Sequence, residues 1–385
     1  KGILISPNET EIHLDDKISL KEEINTNQKI IIKKNYVAST DKKTFKNFVT
    51  IFNSRYKELQ SMLRNRQEVQ DATSIRKVLS MDERSQITVI GMVLDKKLTK
   101  NNNIILTLED QTAVIKGIIT QRNKEAFEMA KDLCFDEVIG IQGSKGKGVI
   151  FINNIISPDI PLNKELKKSP NDHAAVFISD IHIGSKMFLK DDFEKFISWI
   201  RGETGTDEQK NLVKKIKYLF IIGDLVEGIG IFPGQEKELE YEDIYDQFNE
   251  FNKYVEMIPK SIQIIICSGN HDPVRIAEPQ PPIPKQFVEP IYNNENITWV
   301  SSPSVVNIEN TEHFSGFDIL LYHGFSFPYY GSTIESLRMK GGIESVENIM
   351  TYLLKKRHLA PAHGSTQYHL GFNYDPLIIK EAPDF

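Results

Sequence analysis

The chain of 385 residues is long enough for two or three domains with cores of their own, and 40% hydrophobic with 26% charged residues is a globular composition. A net charge of −6 excludes a protein that grips nucleic acid by bulk positive charge, so a DNA substrate would need a local patch or a partner to present it. No apolar run reaches the roughly 18 to 20 residues that span a bilayer, and two cysteines, Cys134 and Cys267, rule out a disulfide framework or a cysteine zinc site and suit a reducing, cytoplasmic setting.

Residues 1 to 84 are read as an N-terminal region in which short β-type runs such as "KIIIKK" (Lys29 to Lys34) mix with polar stretches. Within it, Phe45, Phe48, Val49, Phe52, Tyr56, Leu59 and Leu63 recur at helical spacing and predict an amphipathic helix over about 44 to 64. From Ser85 the pattern changes to short alternating runs: "QITVIGMVLDKK", "NIILTLED" and "AVIKGIIT", then helical "KEAFEMAKDL", then "EVIGIQG" and "VIFINNII". Five strands with a helix between the third and fourth is the order of an OB-fold barrel, assigned here to residues 85–157. The polar tip Asp95 to Asn103 carries Lys96, Lys97 and Lys100, either oligonucleotide contacts or a solvated hairpin end.

Residues 158–172, rich in Pro and Lys and without periodicity, read as a linker. Over 173–385, apolar β-runs alternate with amphipathic helices, which implies a layered α/β domain. Four runs end in polar clusters: "AAVFI" in Asp180 and His182, "YLFII" in Gly223 and Asp224, "QIIIC" in Asn270, His271 and Asp272, and "DILLY" in His323. Ligand and catalytic groups of α/β sheets collect at the carboxyl ends of strands, so these side chains can converge. Asp180 and His182, two residues apart at a strand end, should point the same way. Imidazoles, carboxylates and an amide without thiolates suit manganese, iron or zinc. A carboxylate such as Asp224 can bridge two ions, and two-metal sites hydrolyse phosphate esters.

The motifs "SDIHIG", "GDLVEG", "SGNHD" and "YHG" resemble, in order and spacing, those of the calcineurin-like metallophosphoesterases. The longer stretches "GDLVEGIGIFPGQEKEL", "GNHDPVRIAEPQPPIP" and "RHLAPAHGS" are similar to the small subunit of the archaeal family D DNA polymerase. The runs from "ITVIGMVLDKK" to "DEVIGIQG" resemble that subunit's OB domain, so the likeness covers Ser85 to Phe385. It implies two divalent ions, Mn²⁺ before Fe or Zn, with Asp180 and His182 on one, Asp224 bridging, and Asn270 and His323 on the other. It also implies that His271 faces the scissile phosphate, that Asp272 orients the His271 imidazole, and that the activity is a proofreading 3′→5′ exonuclease on single-stranded or mismatched DNA ends. The implied partners are a large catalytic polymerase subunit, DNA and a sliding clamp, with no membrane.

One motif of that family, a Gly-His-x-His giving one more histidine to each ion, is missing, and the sequence is expected to stop short of it. His363 or His369 are the alternative donors. Arg275 is a phosphate contact or a member of a structural ion pair, Glu227 a supporting acid or a solvated one, and Tyr329 and Tyr330 base-stacking or packing side chains. The competing functional readings are a polymerase scaffold without catalysis, disfavoured because the ligand set is kept, and a free-standing metallophosphatase, disfavoured by the attached OB domain.

Overall fold

The structure is a computed structural model that describes residues 30–36 and 44–385; the rest of the stretch read as β-type runs and polar segments lies outside the described residues. The first half of the chain carries β1 (Ile30–Lys34), β2 (Gln86–Leu98), β3 (Ile104–Glu109), β4 (Val114–Ile119), β5 (Val138–Lys145) and β6 (Val149–Ile156). The second carries β7 (Ala174–Ile178), β8 (Ile216–Ile222), β9 (Gln263–Cys267), β10 (Ile297–Val300), β11 (Ser304–Ile308) and β12 (Phe317–Leu321). Described residues form two compact units, 44–164 with 326–382, and 30–36 with 165–325 and 383–385. Residues 326–382, which follow the phosphoesterase motifs in sequence, thus cluster with the barrel.

In the first unit the strands close in the order β2-β3-β4-β6-β5, with the helix Lys124–Lys131 between β4 and β5. Inward residues alternate, as in Ile104, Leu106 and Leu108 of β3, and pack with Val89, Ile115, Ile139, Ile141 and Ile152. The helix Phe45–Arg64 lays Phe52, Tyr56, Leu59 and Leu63 on Ile90, Met92 and Val138, and the Tyr56 hydroxyl donates to Ile90 O at 2.9 Å. Its buried stripe differs from the expected one. Phe45 is exposed, and Arg55, on the same helix, is fully buried. The Arg55 guanidinium donates to Asp375 Oδ2 (2.6 Å), Pro361 O (2.6 Å) and the Tyr368 hydroxyl (2.7 Å).

The second unit is a sandwich of two sheets. One is parallel, ordered β10-β9-β8-β7, and the other antiparallel, ordered β1-β11-β12. The two-residue period of β8 and β9 decides which face each side chain serves. Leu219, Ile221, Ile264 and Ile266 meet Ile197 and Ile200 of the helix Lys190–Ile200 and Phe248, Phe251 and Val255 of the helix Ile244–Met257. Tyr218, Phe220, Ile265 and Cys267 meet Ile30, Val306, Ile308, Ile319 and Leu321 of the other sheet. Both faces of the parallel sheet are therefore covered, as such sheets require. Among the described residues no helix is long and apolar enough to cross a membrane.

Candidate metal centre

Strands β7, β8, β9 and β12 end at Ile178, Ile222, Cys267 and Leu321, and the loops that follow bring together Asp180, His182, Asp224, Asn270, His271 and His323. The convergence has a different backbone cause from the one expected. Asp180 (φ 53°), His182 (φ 53°) and Asp224 (φ 49°) all lie in the left-handed region, so the first two are not extended residues sharing a strand face. Aspartate and histidine enter this region more readily than most side chains, and non-glycine residues held there cluster at functional sites, where the fold sustains a cost of about 1–3 kcal/mol each. Here the loop after β7 stays laced to the loop after β8. Asp180 N–H donates to Gly223 O (3.1 Å), His182 N–H to Asp224 O (3.1 Å) and Ile183 N–H to Leu225 O (3.2 Å).

Asp224, 3% exposed, is the hub. Its Oδ1 accepts the backbone N–H of His271 at 2.8 Å, while its Oδ2 lies 3.6 Å from His182 Nε2 and 3.3 Å from His323 Nε2. Both imidazoles are turned so that the other nitrogen is engaged. His182 Nδ1 is 2.9 Å from Glu227 Oε2, and His323 Nδ1 is 2.9 Å from Ile222 O. These acceptors fix the proton on Nδ1 and leave Nε2 with a lone pair facing Asp224 and, for His323, Asn270 Oδ1 at 3.2 Å. Acceptors facing acceptors at such distances need a proton or a cation between them. Potential donor atoms of His182, Asp224 and His271 lie within 4.8 Å of one another, as do those of Asp180, Asp224 and His323. Asp180 Oδ1 and His182 Nε2, the pair expected on one ion, are 3.9 Å apart, and Asp224 is common to both sets. The nitrogen and oxygen donor set therefore fits two borderline or hard divalent ions sharing one carboxylate.

The electrostatics agree. Burial alone would lower the His323 imidazole, but the Asp224 carboxylate outweighs it and pushes it up to about 9. Asp180, with Asp224 and Glu227, raises His182, whereas burial and the nearby Asp224 push Asp272 up to about 7. Space is equally restricted. A Cβ at Gly269 would stand 2.3 Å from Asp224 Oδ1 and 2.4 Å from its backbone nitrogen, so only glycine lets the β8 and β9 loops approach this closely.

The calcineurin-like phosphoesterase family profile matches residues 174–381, more than half of the chain. The chain belongs to that family. The phosphoesterase is 38% identical over 335 residues to the DNA polymerase II small subunit of Methanothermobacter thermautotrophicus, covering 87% of this chain and 66% of that one. It is 37% identical to the DNA polymerase II small subunit of Methanocaldococcus jannaschii (85% and 53% covered) and 34% to that of Pyrococcus furiosus (88% and 53% covered). The chain thus spans between about half and two thirds of the length of these curated relatives.

Several expected roles within the phosphoesterase change. Asp272 does not hold the His271 imidazole: its carboxylate accepts backbone N–H groups of Gly269 (2.8 Å), Leu225 (3.0 Å) and Val226 (3.4 Å), clamping the β8 and β9 loops together. Glu227 O, 2.8 Å from Nδ1, orients that imidazole instead. The Lys96 ammonium donates to Lys131 O (2.5 Å) and Leu133 O (2.6 Å), so it closes the end of the barrel helix rather than reaching outward. The hairpin tip is shorter than expected because β2 runs on to Leu98. Lys100 is exposed, and Lys97 pairs with Asp95 at 2.5 Å. Arg275 is half-buried and donates to Pro279 O at 2.6 Å, a backbone carbonyl in place of the expected ion pair. Tyr330 is buried with its hydroxyl on Ser365, and His363 stacks edge-on against Phe48 at 4.8 Å.

The sequence left Glu227 undecided, and Gln235 went unnoticed. Gln235 Nε2 donates to Glu227 O (3.1 Å) and Oε1 (3.3 Å), so one buried amide steadies the acid that orients His182. Glu227→Gln should weaken Mn²⁺ binding about 10- to 100-fold, the usual effect of removing a carboxylate behind a metal-bound histidine. A calorimetric Mn²⁺ titration checks this, and unchanged affinity would deny Glu227 that role.

Proposed function

We propose that this chain is the small subunit of a two-subunit archaeal-type replicative DNA polymerase and that its second unit is a two-metal 3′→5′ exonuclease acting on single-stranded or mismatched DNA ends. The observation that carries the hydrolytic part is Asp224, one buried carboxylate common to two donor sets. The names of the relatives, each a DNA polymerase II small subunit, support the polymerase part and a larger partner subunit; DNA, the sliding clamp and the cytoplasm belong to the proposal through the family resemblance. The division proposed for the sequence is an OB domain over 85–157 and a phosphoesterase domain over 173–385, of which 326–382 lie in the same compact unit as the barrel.

Asp180, His182, Asp224, Asn270 and His323 would hold the ions, with Mn²⁺ the first choice for this donor set. When bound, such ions supply a nucleophilic water at neutral pH and stabilise the charge of the phosphodiester in the transition state. The chain's own work is positional. Glu227 and the carbonyl of Ile222 keep Nε2 of His182 and His323 facing the centre, and Asp272 locks the two loops from behind. His271, its ring 4.7 Å from and nearly perpendicular to that of His182, has Nδ1 engaged by Glu227 O. Its Nε2 is the group we assign to protonate or stabilise the leaving 3′ oxygen.

The test is release of nucleotides from a single-stranded 3′ end by the full-length protein with Mn²⁺. His271→Ala should slow it by on the order of a hundred-fold while the protein still gains thermal stability from Mn²⁺. Undiminished digestion would remove His271 from the reaction. Absence of Mn²⁺-dependent hydrolysis in the unsubstituted full-length protein would favour the scaffold reading.

A further inference from the structure

On one flank the metal-ligand cluster opens into a cavity of about 660 Å³. Its lining combines Asp180, His182, Glu227 and His271 with an apolar shelf of Met187, Phe188, Leu189, Phe193, Phe196 and Phe232. Three of these face water to a degree unusual for their type: Met187 is 79%, Leu189 71% and Phe232 37% exposed. Among the described residues no lysine or arginine lines the cavity, but the carboxylates of Asp180, Asp192, Glu227 and Glu238 do.

We propose that this shelf receives the base of the terminal nucleotide whose phosphodiester lies at the metal ligands, an inference that rests on the nuclease reading above. Charge decides which part of a nucleotide goes there. Carboxylates line this flank and no described lysine or arginine does, Lys195 reaching Asp192 at 2.8 Å from outside the lining, so the flank favours a neutral, flat base beside its apolar side chains over the sugar-phosphate backbone. The volume is that of a small-molecule site, and aromatic side chains stack every base alike because each presents a π-face. Phe188 is fixed as a floor, 5.8 Å from the Phe193 ring and 6.4 Å from that of Tyr254. Phe232 lies on the loop after β8, where Gln235 Oε1 accepts the Ile231 N–H at 2.9 Å. The same amide group donates to Glu227, so the base shelf and the acid that orients His182 are held by one side chain. A base still paired to its complement cannot enter, which makes the shelf a selector for unpaired ends.

The test compares two oligonucleotides identical except that one ends in thymidine and the other in an abasic tetrahydrofuran residue, both digested by the full-length protein with Mn²⁺. The thymidine end should give a kcat/KM about ten-fold higher or more, the effect of one stacked base, and Phe232→Ala should shrink that ratio toward one. If Phe232→Ala fails to fold, Leu189→Ser carries the same comparison. Equal rates for the two ends, or a ratio that survives both substitutions, would overturn the shelf and leave its apolar residues to a protein contact. A separate binding measurement uses a 3′-terminal 2-aminopurine with Ca²⁺ in place of Mn²⁺, where stacking quenches the fluorescence and Phe232→Ala restores it. Quenching without hydrolysis of either end would remove the nuclease reading and keep the shelf. Hydrolysis without quenching and without a substrate ratio would do the reverse, and absence of both would remove both.

Discussion

Asp224→Asn should abolish the rise in melting temperature that Mn²⁺ gives the protein and lower phosphodiester hydrolysis by about a thousand-fold or more, the several kcal/mol that metal chemistry supplies. The substitution keeps the shape and the oxygen that accepts His271 N–H, but removes the charge that both donor sets share. Without metal, the variant should melt near the parent. Burial and, after it, Asp224 push Asp272 up to about 7, and neutralising Asp224 relieves that repulsion, which offsets the loss of the carboxylate that raises His323. Thermal melts of both proteins with and without Mn²⁺ separate the two effects, since a ligand that binds only the folded state raises its stability by mass action. Equal Mn²⁺-induced shifts in parent and variant would show that Asp224 is not shared between ions.

Asp375→Asn should lower the unfolding free energy by about 3–5 kcal/mol, the usual result of removing one partner of a buried ion pair. Arg55 and Asp375 are both fully buried and joined at 2.6 Å, and His358 Nε2 lies 3.0 Å from the same carboxylate oxygen. The asparagine keeps the volume but leaves the guanidinium charge without a counter-charge. Burial alone would raise the Asp375 carboxyl, but Arg55 and His358 outweigh it and hold it well below the usual carboxylate range. With the folded value depressed, the stabilisation is complete above the unfolded value of about 4 and is lost as pH falls below it. Urea titrations at neutral pH and at about pH 3 read both effects. A loss below about 1 kcal/mol at neutral pH would mean that the pair is dispensable, as exposed pairs usually are.

Much of the metal centre was legible because it sits where strand logic places it. Apolar runs of five residues ended in Asp, His and Asn, and those residues meet. The barrel was equally readable, since β3 alternates faces residue by residue. The conformation that aims the ligands was not readable. Nothing in "SDIHIG" distinguishes an extended Asp-x-His from one with two left-handed residues, because Asp and His tolerate that region without requiring it and the backbone bonds that hold it come from Gly223 and Asp224, 43 and 42 positions on from Asp180 and His182. Asp272 was misassigned because a sequence shows a neighbour, His271, but not three backbone N–H groups that need an acceptor. Lys96 looked like a surface cation because helix-end carbonyls carry no letter in a sequence. The burial of Arg55 had no local signal, since its partner Asp375 lies 320 positions away.

The path of the chain limits how the phosphoesterase centre can be isolated. From 30–36 the chain passes to the barrel unit, returns at 165, leaves again at 326 and comes back at 383. A fragment begun at 165 would lack β1 and leave the backbone edge of β11 open to foreign strands. One ended at 325 would lose the bonds of Asp384 N–H to Asp318 O (2.7 Å) and of Leu320 N–H to Phe385 O (2.9 Å) beside β12, the strand that delivers His323. Ordinary end-trimming therefore damages this unit from either side, and a minimal form of it calls for splicing out 326–382 with a linker that rejoins 325 to 383.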